Sequence, residues 1–215
     1  MPIKLILFDL DGTLVDTVRD ITDALNYALG ICGSKSFTVD QTRKLVGEGL
    51  TRLMEKALGE EKAGLKDTVM KRFLDYYSAH ITDNSSLYPY VGEILRKLAG
   101  FKKAVISNKR EYLSVKLLEK LDILKYFDLV VGSDTAPERK PSPVPVIYAL
   151  SKLEVKPREA VIIGDSNYDI EAGRKAGIMT VAVTHGYGEK RYLLGADYKI
   201  DSFKDLALIL DISSS

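Results

Sequence analysis

The chain is poor in the features that mark secreted, membrane-bound or nucleic-acid-binding proteins. Its one cysteine, Cys32, excludes an internal disulfide and suits a reducing compartment. Cys32 lies among Gly30, Ile31 and Gly33 with no base beside it, so a buried spectator is expected rather than a nucleophile. Only two histidines occur, His80 and His185, far apart and without ligand spacing, which leaves zinc chemistry no donor set. His80 falls on a helical stripe; His185, ahead of Gly186-Tyr187-Gly188, falls at a strand end from which it could approach a ligand. Neither sign of charge dominates. Lys and Arg number 31 against 30 Asp and Glu, giving net +1 without a basic block, which argues against a nucleic-acid groove or an anionic membrane surface. The N-terminal apolar run is too short for a signal peptide or a membrane span, and it leads directly into Asp9. A cytoplasmic protein that binds neither membrane nor nucleic acid is expected. No internal repeat is visible, and low complexity is confined to Ser213-Ser214-Ser215.

What remains is an ordinary globular composition, 46% hydrophobic and 28% charged over 215 residues. That length fits one large domain or one domain carrying an insertion, and folding should remove roughly 70% of the unfolded surface. Short apolar, β-branched runs recur at Ile3–Phe8, Ala104–Ile106, Leu129–Val131, Val161–Ile163 and Thr180–Val183, each followed by polar residues and then a helical pattern. This rhythm predicts an α/β fold with a doubly wound, Rossmann-like parallel sheet covered on both faces. One interval breaks it. Between Thr17 and Asn84 the pattern is helical, with stripes at Ile21, Leu25 and Leu29, at Leu50, Leu53, Met54, Ala57 and Leu58, and at Val69, Phe73, Tyr76 and Tyr77. Thr38 and Gln41 read as a capping box opening a helix through Leu45. We therefore expect a core domain of residues 1–16 and 85–215 and an inserted small helical cap domain of residues 17–84. Two short connections would tether it, so it could hinge over the strand ends.

Four polar clusters fall where apolar strands end, which is where parallel sheets bind ligands. The first is Asp9-Leu10-Asp11-Gly12-Thr13. Period two along a strand would put Asp9 and Asp11 on one face, and Gly12 permits a turn. Like charges held that close need a cation between them, or one must stay protonated. That means a hard-metal site or a nucleophile beside a proton donor, although Asp can also simply cap a helix. The second cluster is Ser107-Asn108-Lys109, which offers a hydroxyl, an amide and backbone N–H groups as an anion cradle or an ordinary helix cap. The third is Lys140-Pro141-Ser142-Pro143, ahead of a helical run from Val144 to Lys152, where Lys140 could balance nearby negative charge. The fourth is Gly164-Asp165-Ser166-Asn167-Tyr168-Asp169, with Asp165 and Asp169 spaced to share a face where a helix begins. Asp9 and Asp165 would supply the carboxylates that Mg²⁺ commonly takes. Together these are the parts of a phosphoryl-transfer site.

In these four motifs and their order the chain resembles the haloacid-dehalogenase-like (HAD) superfamily of phosphatases, over essentially its whole length. Leu45-Val46-Gly47-Glu48-Gly49-Leu50, Ser107-Asn108-Lys109 and Thr184–Gly188 are most similar to the phosphoglycolate phosphatase branch. The resemblance implies a Mg²⁺-dependent phosphatase acting on a small phosphorylated metabolite, with 2-phosphoglycolate the first substrate to test. It implies Asp9 as the nucleophile that becomes an aspartyl-phosphate and Asp11 as the acid and then base. Asp9, the Asp11 carbonyl and Asp165 would hold Mg²⁺, with Asp169 and Ser166 supporting them. Ser107 and Asn108, with the turn at Gly12 and Thr13, would bind the phosphoryl group, and Lys140 would orient Asp9. Gly47, Glu48, Gly49 and Arg52 of the cap would face the rest of the substrate.

Within the superfamily, Asp11 argues against a dehalogenase, and no cap lysine among Lys35, Lys44, Lys56 and Lys62 has the context of a Schiff-base lysine. Another small organic phosphate, pyrophosphate, or a β-phosphoglucomutase-like reaction are the alternatives. A non-catalytic binding module on the same fold is the alternative of a different class. Monomer and homodimer are both compatible with the sequence.

Overall fold

The computed structural model describes residues 2–33 and 36–210, so the terminal serine run lies outside the described residues. In chain order the strands are β1 (Leu5–Phe8), β2 (Val15–Asp16), β3 (Ser86–Leu87), β4 (Lys102–Ile106), β5 (Leu129–Val131), β6 (Ala160–Gly164), β7 (Met179–Val183) and β8 (Tyr198–Ile200). The helices are α1 (Val18–Leu29), α2 (Val39–Arg43), α3 (Leu50–Leu58), α4 (Lys66–Ala79), α5 (Val91–Lys97), α6 (Glu111–Lys120), α7 (Val144–Lys152), α8 (Asn167–Ala176) and α9 (Leu206–Ile209).

Six strands form one parallel sheet in the order β5-β4-β1-β6-β7-β8. Alternation along each strand sorts its side chains between two helical layers. Leu5, Leu7, Ala104, Ile106, Ala160 and Ile162 pack with Val146, Ala149 and Leu150 of α7 and Ala172 of α8. Ile6, Phe8, Val105, Val161 and Ile163 pack with Ile94 and Leu95 of α5, Leu113 and Leu117 of α6, and Leu206 of α9. Each such burial contributes roughly 1.5–3 kcal/mol for a large aliphatic or aromatic side chain, so the three central strands are the most firmly held part of the molecule. Winding reverses at β1, which lies between β4 and β6. Phe8 stands opposite Val105 and Ile163, so the loops after β1, β4 and β6 leave the same edge side by side. That edge is the topological switch point of the sheet.

Helices α1–α4 leave the core after β2 and return to it through β3. The apolar stripes read from the sequence face inward: Ile21, Leu25, Leu53, Met54, Val69, Phe73 and Tyr77 are all buried. The Thr38–Gln41 capping box forms, but α2 stops at Arg43 instead of reaching Leu45. The amides of Leu45 and Val46 turn back to the Thr42 carbonyl, and Gly47 then takes φ +115°, which favours glycine. Cys32 is half-buried, and its carbonyl accepts from Lys62 Nζ.

The connection between cap and core is more built than two plain linkers. Strands β2 and β3 pair antiparallel, with Val15 opposite Leu87 and Asp16 opposite Ser86. Beside them the buried Asp20 carboxylate accepts from the amides of Asn84 and Ser85, from Asn84 Nδ2 at 2.8 Å and from Ser85 Oγ at 2.6 Å. Four donors on one carboxylate compensate its desolvation and fasten the outgoing helix to the returning chain. Among the described residues no helix is long and apolar enough to cross a membrane.

Candidate active site

Strand β1 ends at Phe8, one residue before the first carboxylate, and the chain turns at once. The Leu10 carbonyl accepts from the amides of Thr13, Leu14 and Val15, and Gly12 takes φ +88°. Asp9 and Asp11 therefore do not share a strand face, as period two would require; the turn sends their carboxylates to different partners. A Cβ on Gly12 would lie 2.5 Å from Asp165 Oδ2, so glycine is required by close approach as well as by φ.

Lys140, 3% exposed, lies at the centre of the first group of partners. Its Nζ donates to Asp9 Oδ1 and Asp169 Oδ1, both at 2.6 Å, and to the Ile106 carbonyl at the end of β4. Burial alone would depress the ammonium pKa; the charges of Asp169 and Asp9 more than offset this and hold it above the usual lysine range. Asp9, Asp165 and Asp169 each place one carboxylate oxygen within 4.8 Å of the others, and among the described residues they form the one such cluster. All three are buried. Burial and then mutual repulsion push the Asp9 carboxyl well above its ordinary range, Lys140 opposing, and raise Asp165 to about 7. The Thr13 hydroxyl is 3.5 Å from Asp9 Oδ2 and 3.4 Å from Asp165 Oδ1. Asp169 spends its second oxygen on the amide and hydroxyl of Ser166 at the start of α8. Asp165 precedes that helix, so it meets Asp169 across a turn and not along a helical face. Asp165 Oδ2 accepts from the amides of Tyr187 at 2.6 Å and Gly188 at 3.2 Å.

Asp11 belongs to a second group. Its Oδ1 accepts from Thr17 Oγ1 at 2.7 Å, and its Oδ2 pairs with Lys109 Nζ at 2.9 Å. Ser107 and Asn108, in the loop that carries Lys109, are buried. Ser107 Oγ accepts from the Lys109 amide, while Asn108 Nδ2 donates to the carbonyls of Gly47 at 2.8 Å and Lys140 at 3.0 Å. Asn108 Oδ1 is buried without a partner. The cap loop thus rests on the loop after β4, so closely that a Cβ on Gly49 would lie 3.0 Å from the Asn108 carbonyl. Glu48 pairs with Lys56 and bonds Tyr168; the Lys56 hydrogen bond first holds its carboxyl below the usual range.

Between cap and core lies a cavity of about 620 Å³. Asp9, Asp11, Ser107, Asn108, Lys109, Lys140, Asp165 and Ser166 line it from the core, Gly47, Glu48 and Gly49 from the cap loop, and Ile21, Leu50, Leu53 and Phe73 give it an apolar roof. Gly12, Thr13 and Asp169 stand behind this lining, and Arg52 turns outward to Glu55. His185 does not reach the cavity; its Nε2 lies 3.2 Å from the Thr13 carbonyl and its ring packs on Tyr88. Tyr77 and Tyr187 are among the lining residues that the sequence did not single out. Tyr77 reads as one more position on an apolar stripe, and Tyr187 as part of a glycine turn. Tyr187 Oη accepts from the Thr17 and Val18 amides and donates to Asp16, which caps α1 from the core.

Residues 6–183 match the haloacid dehalogenase-like hydrolase family. Over 215 residues the chain is 39% identical to a phosphoglycolate phosphatase of Aquifex aeolicus, covering 97% of each chain. It is 35% identical to one of Chromobacterium violaceum, covering 95% of each. The crystal structure of a predicted phosphoglycolate phosphatase from Haemophilus somnus 129pt superposes with a TM-score of 0.90 at 30% identity, over 96% of this chain and 97% of that one. With its parallel sheet, its helical insertion and its acidic cluster at the switch point, the chain belongs to the haloacid dehalogenase-like hydrolases.

Proposed function

We propose that the protein is a Mg²⁺-dependent phosphatase for small phosphomonoesters, with 2-phosphoglycolate, cleaved to glycolate and phosphate, as its first candidate substrate. The observation that carries the reading is the convergence of Asp9, Asp165 and Asp169 in one buried cluster, with the Lys140 ammonium bonded to Asp9 and Asp169. Similarity to phosphoglycolate phosphatases over nearly the full chain supports the choice of substrate. Residues 17–84 act as the cap that closes over it.

The donor set fits Mg²⁺: hard carboxylate oxygens, buried, with protonation pushed upward by like charge that a divalent ion would relieve. Asp9, Asp165 and the Asp11 carbonyl would hold the ion, with Asp169 and Ser166 bracing them. When bound, Mg²⁺ neutralises charge between the nucleophile and the substrate phosphate. Lys140 holds one oxygen of Asp9 and leaves the other for attack on phosphorus. As the new oxygen–phosphorus bond forms on Asp9, the bond to the leaving alkoxide breaks and Asp11 gives that oxygen a proton. Asp11 then takes a proton from water as the water attacks phosphorus, and the Asp9 oxygen–phosphorus bond breaks to release phosphate and restore the carboxylate. Ser107 and Asn108 hold phosphoryl oxygens, Asn108 by exchanging its bond to the Gly47 carbonyl for one to phosphate. Closure of the cap over these groups excludes water and strengthens each charge interaction.

The roomy cavity and its apolar roof favour a second reading, in which a larger organic phosphate is the better substrate. The test is phosphate release from 2-phosphoglycolate and a panel of sugar, polyol and aryl phosphates, with Mg²⁺ and with EDTA. Turnover is expected to require Mg²⁺ and to vanish in Asp9→Asn; equal rates with EDTA, or an active Asp9→Asn, would sink the mechanism. The order of kcat/KM across the panel decides between the two substrate readings.

A further inference from the structure

Lys109 sits where no surface lysine would. Its side chain is 7% exposed, its Nζ is 2.9 Å from Asp11 Oδ2, and it donates to the Tyr77 hydroxyl at 3.1 Å. The same ammonium lies 4.8 Å from the centroid of the Tyr77 ring. Asp11 and Lys109 belong to core loops, whereas Tyr77 is the buried last-turn residue of α4 in the cap. One cation therefore has a partner in each unit, and the two together compensate its desolvation. If the cap lifts, Tyr77 leaves and water reaches the ammonium. The pairing with Asp11 is then weakened by solvent, because charges attract several-fold less strongly in water than in a protein interior.

We propose that Lys109 is a positioning residue that makes proton transfer by Asp11 conditional on a seated cap, with Tyr77 as the cap's contact. The proposal rests on Asp11 being the acid of the preceding section. Among the described residues the Asp11 carboxylate has two side-chain partners, Thr17 where the chain enters the cap and Lys109 from the core loop after β4; of these, Lys109 alone also touches Tyr77. The device suits an enzyme that must not protonate a leaving group while the site is open to water.

The test exploits leaving groups. A nitrophenolate departs without a proton, whereas an alkoxide needs one, and kcat/KM reports the step in which that group leaves. The quantity to measure is the ratio of kcat/KM for 2-phosphoglycolate to that for p-nitrophenyl phosphate, in wild type, Lys109→Met, Tyr77→Phe, Asp11→Asn and the double variants with Asp11→Asn. A displaced acid should lower the ratio by about 10²-fold in Lys109→Met, and by a smaller factor in Tyr77→Phe, which keeps ring and packing. In the Asp11→Asn background neither substitution should change the ratio further. Should Lys109→Met fail to fold, Tyr77→Phe carries the test. Equal losses on both substrates in Lys109→Met and Tyr77→Phe, alongside a selective loss in Asp11→Asn, would overturn the coupling and leave Asp11 as the acid. An unselective loss in Asp11→Asn would overturn the acid assignment, and this inference with it.

Discussion

Replacing Lys140 by Met probes the acidic cluster without reference to any substrate. The side chain keeps its length and apolar stem but loses the one cation that bonds Asp9, Asp169 and the Ile106 carbonyl. Removing one partner of a buried ion pair costs about 3–5 kcal/mol, because the other charge is left uncompensated. In a domain of this size about 1 kcal/mol lowers Tm by 2–4 °C, so a fall of about 10 °C is expected. The loss should also depend on pH. Lys140 lowers the Asp9 pKa, while burial, Asp169 and Asp165 raise it. Without the ammonium the folded-state pKa of Asp9 rises further above its unfolded value. A folded state that binds more protons than the unfolded one loses stability as pH rises through the window between the two pKa values. The variant should therefore lie closest to wild type below the unfolded carboxylate range and fall away from it as pH rises towards neutrality and beyond. Calorimetric or fluorescence-monitored melts in EDTA, from acid to mildly alkaline pH, measure this directly. A variant that melts with wild type at the alkaline end, or whose deficit shrinks as pH rises, would refute the claim that Lys140 compensates these carboxylates.

Asp165, raised to about 7, should give up protons when a divalent ion binds near neutral pH. Titration calorimetry with Mg²⁺ should show a heat that changes with the ionisation enthalpy of the buffer, and a buffer-independent heat would argue against an Asp165 ligand. At a hundred times its Kd the ion should stabilise the fold by about 2.7 kcal/mol, read as a rise in Tm on adding Mg²⁺. Asp20→Ala leaves the Asn84 and Ser85 amides without their shared acceptor, at about 1–3 kcal/mol per orphaned group. Hydrogen exchange should then accelerate at those amides before it does in β1 or β6; unchanged protection there would remove Asp20 from the neck.

The central strands were legible because they are covered on both faces, so Ile3–Phe8, Ala104–Ile106 and Val161–Ile163 read as apolar runs, although the lysines that open β4 did not belong to one. Strand β8 was not. It lies at the sheet edge with Tyr198 and Lys199 exposed, and an edge strand needs no apolar run. Strands β2 and β3 are two residues each, too short to show any period. The residues of the site were visible as strand-end clusters, but their pairings were not. Period two joins Asp9 to Asp11, whereas the turn at Gly12 gives the first to Lys140 and the second to Lys109. Helical period three to four marks Tyr77 as core, and it is core. Its hydroxyl meets Lys109 only because the insertion folds back over β4, and no local pattern encodes that return.

Charge at the switch point gives these pieces a common logic. Three buried carboxylates cluster beside one ammonium that bonds two of them, and burial with the repulsion that remains raises the carboxyl pKa of Asp9 and Asp165. A phosphate ester entering alone would add to that repulsion in a site of low dielectric, where it is strongest. A divalent cation would reverse the balance, and the anion could then enter. The fold accepts raised carboxyl pKa values and a strained balance of charge at the three best-anchored strand ends, where rigid packing of Phe8, Val105 and Ile163 can hold it. Placed at the tip of an edge strand such as β8, the same cluster would be free to separate into solvent, and the repulsion that a cation would relieve would be lost.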